Sequence, residues 1–171
     1  ELMEMIKQRP QIVNLAATIA LEHYTAMMAH EFLANPKHFK DAEPDTAAMW
    51  RWHAIEEIEH KGVAYDTFRH ATRDWSRLRR YRLKSVMMLL VTFNFLRNRW
   101  ADTLELLAQD GLTGWKIKAK LAWYLVGTPG VLRKIFPAWV SYFMPGFHPW
   151  NHDDRALIDK ADSAFPDAVL A

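Results

Sequence analysis

Long segments without glycine or proline are the feature that most constrains how this chain folds. The 171 residues include only six glycines and eight prolines, and most of these stand between segments of helical spacing. Because both residue types interrupt helices, they divide the chain. The dividing positions are Pro10, Pro36, Pro44, Gly111, Gly114 and the stretches 127–130 and 145–149. Between them apolar residues recur every three or four positions, which indicates α-helices.

This pattern predicts an all-α protein. We expect helices at about 11–34, 45–72, 76–109, 113–127, 130–143 and 153–163, the third with a break as one option. Asp45 is the expected N-cap of the second helix, and Gly111 the expected end of the third. The length suits one domain over 1–171, in which 11–72 forms one part and 76–165 a basic and apolar second part.

Composition restricts both the class of protein and the residue types that could bind a metal. Apolar residues make up 50 %, charged residues 25 % and the formal net charge is +2, which is typical of a globular protein. The chain has no cysteine, so disulfides and thiolate-ligated metals are excluded, and a metal would be bound by His, Asp or Glu. No signal peptide is visible. We expect a cytoplasmic protein, with membrane association as an option.

The stretch "WHAIEEIEHKG" (52–62) concentrates ionisable groups in apolar surroundings. It contains two histidines and three glutamates. The flanking apolar residues, which we expect to be buried, are Met49, Trp50, Trp52, Val63 and Tyr65.

Glu22 is the second unusual position. It interrupts an apolar row of the first helix, formed by Leu15, Ile19, Ala26, Ala29 and Leu33. A buried carboxylate must be paired, protonated or bound to a cation, because an isolated buried charge is too costly.

On the second helix, His53, Glu57 and His60 fall within about 60° of arc. Glu57 and His60 form Glu-x-x-His, which presents a carboxylate and an imidazole to one metal, and bundles of the ferritin type add a carboxylate from a neighbouring helix, here Glu22. These ligand types favour iron, with manganese or zinc as alternatives. Three interpretations of His53 remain open: a further ligand, a residue that orients a ligand, and a histidine of the core. The non-functional interpretation of this pattern is an exposed face of the second helix whose charged residues form ion pairs.

At these residues the chain resembles a bacterial family of predicted metal-dependent hydrolases. The matching stretches are "ALEHYTA" (20–26), "WRWHAIEEIEHKGVAYDTF" (50–68) and "PGFHPWNHDD" (145–154). The resemblance implies a ferritin-like helical bundle with two sets of carboxylate and Glu-x-x-His ligands. In this chain it implies a divalent metal at Glu22, Glu57 and His60, with His53 adjacent.

The chain departs from the family pattern because it carries only one of the two ligand sets. Nothing before Glu22 matches the other set. We expect either that a segment ahead of Glu1 supplies it, which we favour, or that a homodimer joins two half-sites about a twofold axis.

The second half of the chain is basic and then apolar. The run "RHATRDWSRLRRYRLK" (69–84) has seven Arg or Lys and one Asp, and the 12 residues "SVMMLLVTFNFL" (85–96) follow without a charge. Twelve residues are too few to span a bilayer, which takes about 20. The run fits a buried core helix best, with a peripheral membrane contact or a wall of an apolar cavity as alternatives. No motif supports nucleic-acid binding.

A last cluster consists of His148, His152, Asp153 and Asp154. Its prolines predict a loop before the final helix, with Asp153 or Asn151 as the cap, so we expect a structural role.

These observations favour a metal-dependent enzyme that acts on a small apolar substrate lying against Trp50, Trp52 and the stretch 87–95. Iron would favour oxygen activation, and zinc or manganese would favour hydrolysis. Two alternatives remain: a non-catalytic helical module that binds a membrane or a partner, and a half-ferritin-like iron oxidase or storage dimer.

Overall fold

The structure, a computed structural model, describes residues 10–162, and all regular structure in that range is helical. Its α-helices are α1 (Gln11–Ala34), α2 (Pro44–Glu59), α3 (Val63–Ala71), α4 (Arg77–Gln109), α5 (Trp115–Val126), α6 (Val131–Ser141) and α7 (Arg155–Asp162). Short 3-10 helices span Pro36–Phe39 and Pro149–Asn151. The prediction of an all-α protein is confirmed. The last residue of the final predicted helix, 163, and the end of the predicted second part, 163–165, lie outside the described range.

Helix α1 is the central helix. It follows Pro10, and Pro36 prevents its continuation beyond Asn35, so its predicted bounds are confirmed. It packs against α2, α3, α4, α6 and α7. Its buried residues therefore occupy several sides rather than one stripe, as expected of an enclosed helix. They are Ala16, Ile19, Ala20, His23, Tyr24, Ala26, Met27, Ala29 and Glu31.

The single helix predicted at 45–72 is wrong, because the chain turns at residues 60–62. Helix α2 ends at Glu59 and α3 begins at Val63. A Cβ atom on Gly62 would lie 2.8 Å from Nε1 of Trp150, so glycine allows the C-terminal segment to pack against this turn. We call residues 60–64 the α2–α3 junction.

The predicted cap of α2 is also wrong. The N-cap is Glu43, whose side chain accepts a hydrogen bond of 3.0 Å from the backbone N–H of Thr46. Asp45 lies in the first turn instead, where a carboxylate still favours the helix through its dipole.

Helix α4 is continuous over 33 residues, so the optional break does not occur. Ser76 caps its start, and Gly111 follows its end with φ +74°, as predicted. Of the apolar run 85–96, Met87 and Met88 are buried, whereas several large side chains are exposed: Val86, Leu89, Leu90 and Phe93. The run is thus only partly a core helix. Within residues 10–162, no helix is both long and apolar enough to cross a membrane.

The apolar core has two parts that share α1. The larger part centres on Phe68, Met88 and Tyr142, which are at most 2 % exposed. The smaller part joins Ala29 of α1 to Ala54 and Ile58 of α2. Because α1 contributes to both, the position of Glu22 relative to α2 and α3 is fixed by packing on either side.

Candidate metal site

Glu22 lies in the predicted apolar row of α1. Ile19, Ala26 and Ala29 of that row are buried, and Glu22 is half-buried. Its Oε2 accepts a hydrogen bond of 3.3 Å from the backbone N–H of Ala64, at the start of α3. This bond fixes the carboxylate against the α2–α3 junction.

Burial raises the pKa of Glu22 above its ordinary value. The hydrogen bond from Ala64 and the charge of His60 oppose this shift, and the carboxylate of Glu57 adds to it. The structure therefore brings Glu57 and His60 within electrostatic reach of Glu22. Among the described residues, no Lys or Arg forms an ion pair with Glu22.

His53 and Glu57 lie on successive turns of α2, on the same face. His53 Nε2 is 3.4 Å from Glu57 Oε1. The His53 side chain is 49 % exposed and that of Glu57 is 18 % exposed. The ring of Trp50 meets the His53 ring edge-on, with centroids 5.8 Å apart. This face of α2 is thus open to solvent at His53 and closes toward Glu57.

His60 is the C-cap of α2, with φ −95° and ψ 5°, rather than an interior residue of a long helix. Its backbone N–H still bonds to the carbonyl of Glu56, so the Glu57-x-x-His60 spacing keeps one helical turn. The exposed His60 side chain therefore belongs to the junction, where its orientation depends on what holds residues 61 and 62.

Lys61 anchors the junction from the other side. Its Nζ donates hydrogen bonds of 2.6 Å to Asp154 Oδ2 and to the carbonyl of His152, and it lies 4.4 Å from the Trp150 ring centroid. His30 of α1 binds the second oxygen of Asp154 at 2.7 Å. This closed ion-pair cluster positions the residue next to His60.

The segment 148–154 therefore has the structural role that was predicted. His148 binds Asp66 at 3.0 Å, and Asp153 Oδ1 accepts a hydrogen bond of 3.1 Å from the backbone N–H of Arg155. Helix α7 begins at Arg155, so the N-cap position belongs to Asp154 and not to the predicted Asp153 or Asn151. Lys61 was not predicted from the sequence. Its only signal was a lysine next to glycine in "EHKG", and its partners lie more than 90 residues away.

The flanking apolar residues differ from expectation. Only Tyr65 is buried, whereas the other four are 46–62 % exposed: Met49, Trp50, Trp52 and Val63. The smaller core accepts Ala54 and Ile58 from α2 in their place. Trp50 and Trp52 thus form an accessible aromatic surface beside His53.

The donor set suits a divalent metal, but the side chains do not form a ready-made shell. Two carboxylates and an imidazole, with a second imidazole next to them, are ligands for iron, manganese or zinc. In the part of the chain that the structure describes, however, no three His, Asp or Glu side chains converge closely enough to hold an ion. The residues fit a metal in chemistry and neighbourhood, and their role as ligands stays a prediction.

A cavity of about 250 Å³ lies behind the junction, and its lining includes Lys61, Asp154, His30 and His23. His23 follows Glu22 but points away from it, binding the carbonyl of Ala138 at 3.1 Å. Burial lowers the pKa of His23 to about 4, so this imidazole is neutral at physiological pH. Successive residues of α1 thus face the candidate metal site and this cavity.

Fold and site together define an all-α protein with a partly exposed carboxylate and imidazole cluster at a helix junction. The sequence model of the family described as predicted metal-dependent hydrolase matches residues 1–153, and the chain belongs to this family. It is accordingly a metal-dependent enzyme in general terms, and membership implies a divalent metal. No curated protein and no solved structure matched the chain, and the ferritin-like resemblance stays a prediction.

Proposed function

We propose that Glu22, Glu57 and His60 bind a divalent metal and that the protein uses it for hydrolysis. The observation that carries this proposal is Glu22, a half-buried carboxylate with a raised pKa that lies beside a second carboxylate without a Lys or Arg partner among the described residues. A bound cation would relieve both the burial and the repulsion. The family description supports the reaction class.

The protein's own groups have separate tasks in this proposal. The backbone N–H of Ala64 orients the Glu22 carboxylate, and the Lys61–Asp154 pair holds the turn that carries His60. His53, half exposed and 3.4 Å from Glu57, is a further ligand or orients Glu57. When bound, a divalent metal supplies water of lowered pKa for hydrolysis or, as iron, a centre for oxygen activation.

Oxygen activation is the second candidate reaction. The observation in its favour is the donor set, with carboxylates and an imidazole on two packed helices and no cysteine in the chain. This set is typical of iron carboxylate bundles, in which a second set completes the site. We propose that a second copy of the chain or a further segment of the same polypeptide supplies that set.

We propose a small apolar substrate for either reaction. Trp50 and Trp52 are about half exposed beside His53, and the Trp50 ring touches the imidazole edge-on. An aromatic surface next to a polar site is a common way to bind an apolar molecule and orient its reactive bond.

The test is metal retention in matched variants. Elemental analysis of freshly purified protein should find iron, manganese or zinc, and Glu22→Gln should lose at least about nine-tenths of it, because the substitution removes a charged ligand. Glu59→Gln is the control, since Glu59 is an exposed carboxylate at the end of α2, two positions from Glu57. Equal metal content in all three proteins, with Glu22→Gln folded, would contradict the proposed site.

Mass in solution tests whether two copies share the site, and oxygen uptake separates the two reactions. One metal per chain in a dimer would support a site shared between copies, and oxygen consumption by iron-loaded protein would favour oxygen activation. A zinc- or manganese-loaded protein that hydrolyses small apolar esters without oxygen uptake would favour hydrolysis.

A further inference from the structure

A second cavity lies where α3, the start of α4 and the segment 144–147 meet. Its volume is about 490 Å³. The lining combines cationic side chains with aromatic rings: Arg69, Arg77, Arg80 and Lys84 with Tyr65, Phe68, Tyr81 and Phe147, next to Met144, Pro145 and Gly146. It shares no residue with the candidate metal site.

The charge in this cavity has one sign. The lining contains four Lys or Arg side chains and no Asp or Glu. Among residues 10–162, no carboxylate lies within ion-pairing distance of any of the four. The 250 Å³ cavity differs in this respect, because its Lys61 is paired with Asp154 and its Lys134 with Glu31. The arginines here therefore keep their hydrogen-bond donors for another partner.

Lys84 makes the cavity a built site rather than a basic surface. The residue is 7 % exposed, and its ammonium group donates to the carbonyl of Tyr142. The ammonium nitrogen lies 4.3 Å from the ring centroid of Tyr142 and 4.8 Å from that of Phe147. Burial of the group lowers the pKa of Lys84 to about 8. A cation kept in an apolar wall without a carboxylate is stabilised by an anion that enters from the cavity.

The start of α4 adds to the same positive potential. Ser76 caps this 33-residue helix, and Arg77, Arg80 and Tyr81 project into the cavity from its first turns. The positive end of the helix dipole favours an anion at this place. The helix end, the arginines and the buried lysine thus act in the same direction.

We propose that this cavity binds the phosphate group of an organic phosphate, whose apolar part lies against the aromatic rings of the lining. Arginine forks match phosphate oxygens in pairs, and several cations suit a dianion better than a single carboxylate. The volume is much larger than inorganic phosphate needs, and Tyr81 and Met144, both about half exposed, give the cavity an apolar rim. The ligand is either a soluble phosphate ester or the headgroup of an anionic lipid.

The first experiment is calorimetric titration of the full chain with phenyl phosphate, phenol and inorganic phosphate. Phenyl phosphate should bind at least about tenfold more tightly than either fragment, because only it fills both the cationic and the aromatic parts. A parallel flotation assay uses phosphatidylcholine vesicles with and without phosphatidic acid. Binding to phenyl phosphate identifies a soluble ester, and binding only to the phosphatidic acid vesicles identifies the lipid source.

Paired charge variants decide whether the cavity is responsible. Arg77→Gln with Arg80→Gln should weaken binding at least about tenfold, since each lost arginine removes a charge-assisted hydrogen bond. Arg73→Gln with Arg82→Gln removes the same charge outside the lining and should weaken binding less than about threefold. Equal weakening by both pairs, or no binding of either probe by the folded wild-type protein, would overturn the proposal. Arg77 and Arg80 lie outside the candidate metal site, so the difference between the two pairs tests this cavity independently of the proposed function.

Discussion

Two carboxylates hold the α2–α3 junction, and their surroundings differ in charge. Asp154 binds Lys61 and His30 at 2.6 and 2.7 Å, and although burial acts to raise its pKa, these hydrogen bonds lower it. Glu22 accepts only a backbone N–H bond, lies beside Glu57, and burial raises its pKa. Asp154 is thus neutralised by the chain itself, whereas none of the Lys or Arg residues that the structure describes forms an ion pair with Glu22.

Removing the cation beside Asp154 should have the largest effect. Lys61→Met leaves a buried carboxylate with one exposed histidine, so we expect the free energy of unfolding to fall by about 3–5 kcal/mol. Urea unfolding at pH 7 measures it. Adding Asp154→Leu to the same chain should recover much of the loss. A loss below about 1 kcal/mol in the single variant would show that Asp154 resembles Glu22 after all.

Crowding the junction should have the next largest effect. Gly62 has an ordinary φ of −94°, so Gly62→Ala acts through the contact with Trp150 and not through backbone strain. We expect a loss of about 1–3 kcal/mol. Metal retention should fall as well, since His60 is two residues away. Trp150→Leu in the same chain is the control: if the clash is the cause, the losses of the two substitutions will not add.

Lys84 is comparable to Glu22 but has the opposite charge. It is a buried cation, and no carboxylate of the described residues forms an ion pair with it. Its folded pKa is about 8 against an ordinary 10.5, so between these values the unfolded chain binds more protons and stability rises with pH. The cavity that Lys84 lines also contains three arginines and Tyr81, and burial lowers the pKa of nearby His23 to about 4. Burial raises the pKa of the two tyrosines packed against Lys84, Tyr65 and Tyr142. Measurements at pH 7.5–9.5, below the range of tyrosine titration, should give a slope of up to about 1.4 kcal/mol per pH unit. Lys84→Met should flatten it, and a falling wild-type curve would contradict the assignment.

The smallest expected effect concerns His30, whose side chain is 54 % exposed. The hydrogen bond to Asp154 raises its pKa, so the pair contributes stability that is fully present below pH 6.5 and is lost as pH rises through the raised folded value. Solvent screening limits the difference between pH 5.5 and 8.5 to about 1 kcal/mol. His30→Gln should remove it, and thermal unfolding at the two pH values checks this. An unchanged difference in the variant would assign it to another group.

Much of the fold could be predicted because helices are local. The spacing of apolar residues and the position of Pro36 gave both ends of α1, and Gly111 marked the end of α4. The break at residues 60–62 was missed because a single glycine, Gly62, is a weak local signal within helical spacing. The Trp150 ring that packs against Gly62 lies 88 positions further along the chain.

The residues of the candidate site could also be selected from local spacing along the helices, but their tertiary partners could not. Glu22 stands out within an apolar row, and His53, Glu57 and His60 share a face by spacing alone. Lys61 and Asp154 look like surface charges in the sequence, and their pairing comes only from tertiary structure. The exposure of Trp50 and Trp52 was missed because α2 carries apolar residues on more than one face, and the core accepts Ala54 and Ile58 instead.

Helix α1 also restricts how this protein can change its length during evolution. His30 follows Glu22 by eight positions, which is about 12 Å along the helix axis at 1.5 Å per residue. One inserted residue between them would turn the rest of the helix by about 100° and move His30 away from Asp154. Insertions, deletions and recombination breakpoints should therefore accumulate in segments such as 110–114, and the spacing within α1 should be kept even where its residues are replaced.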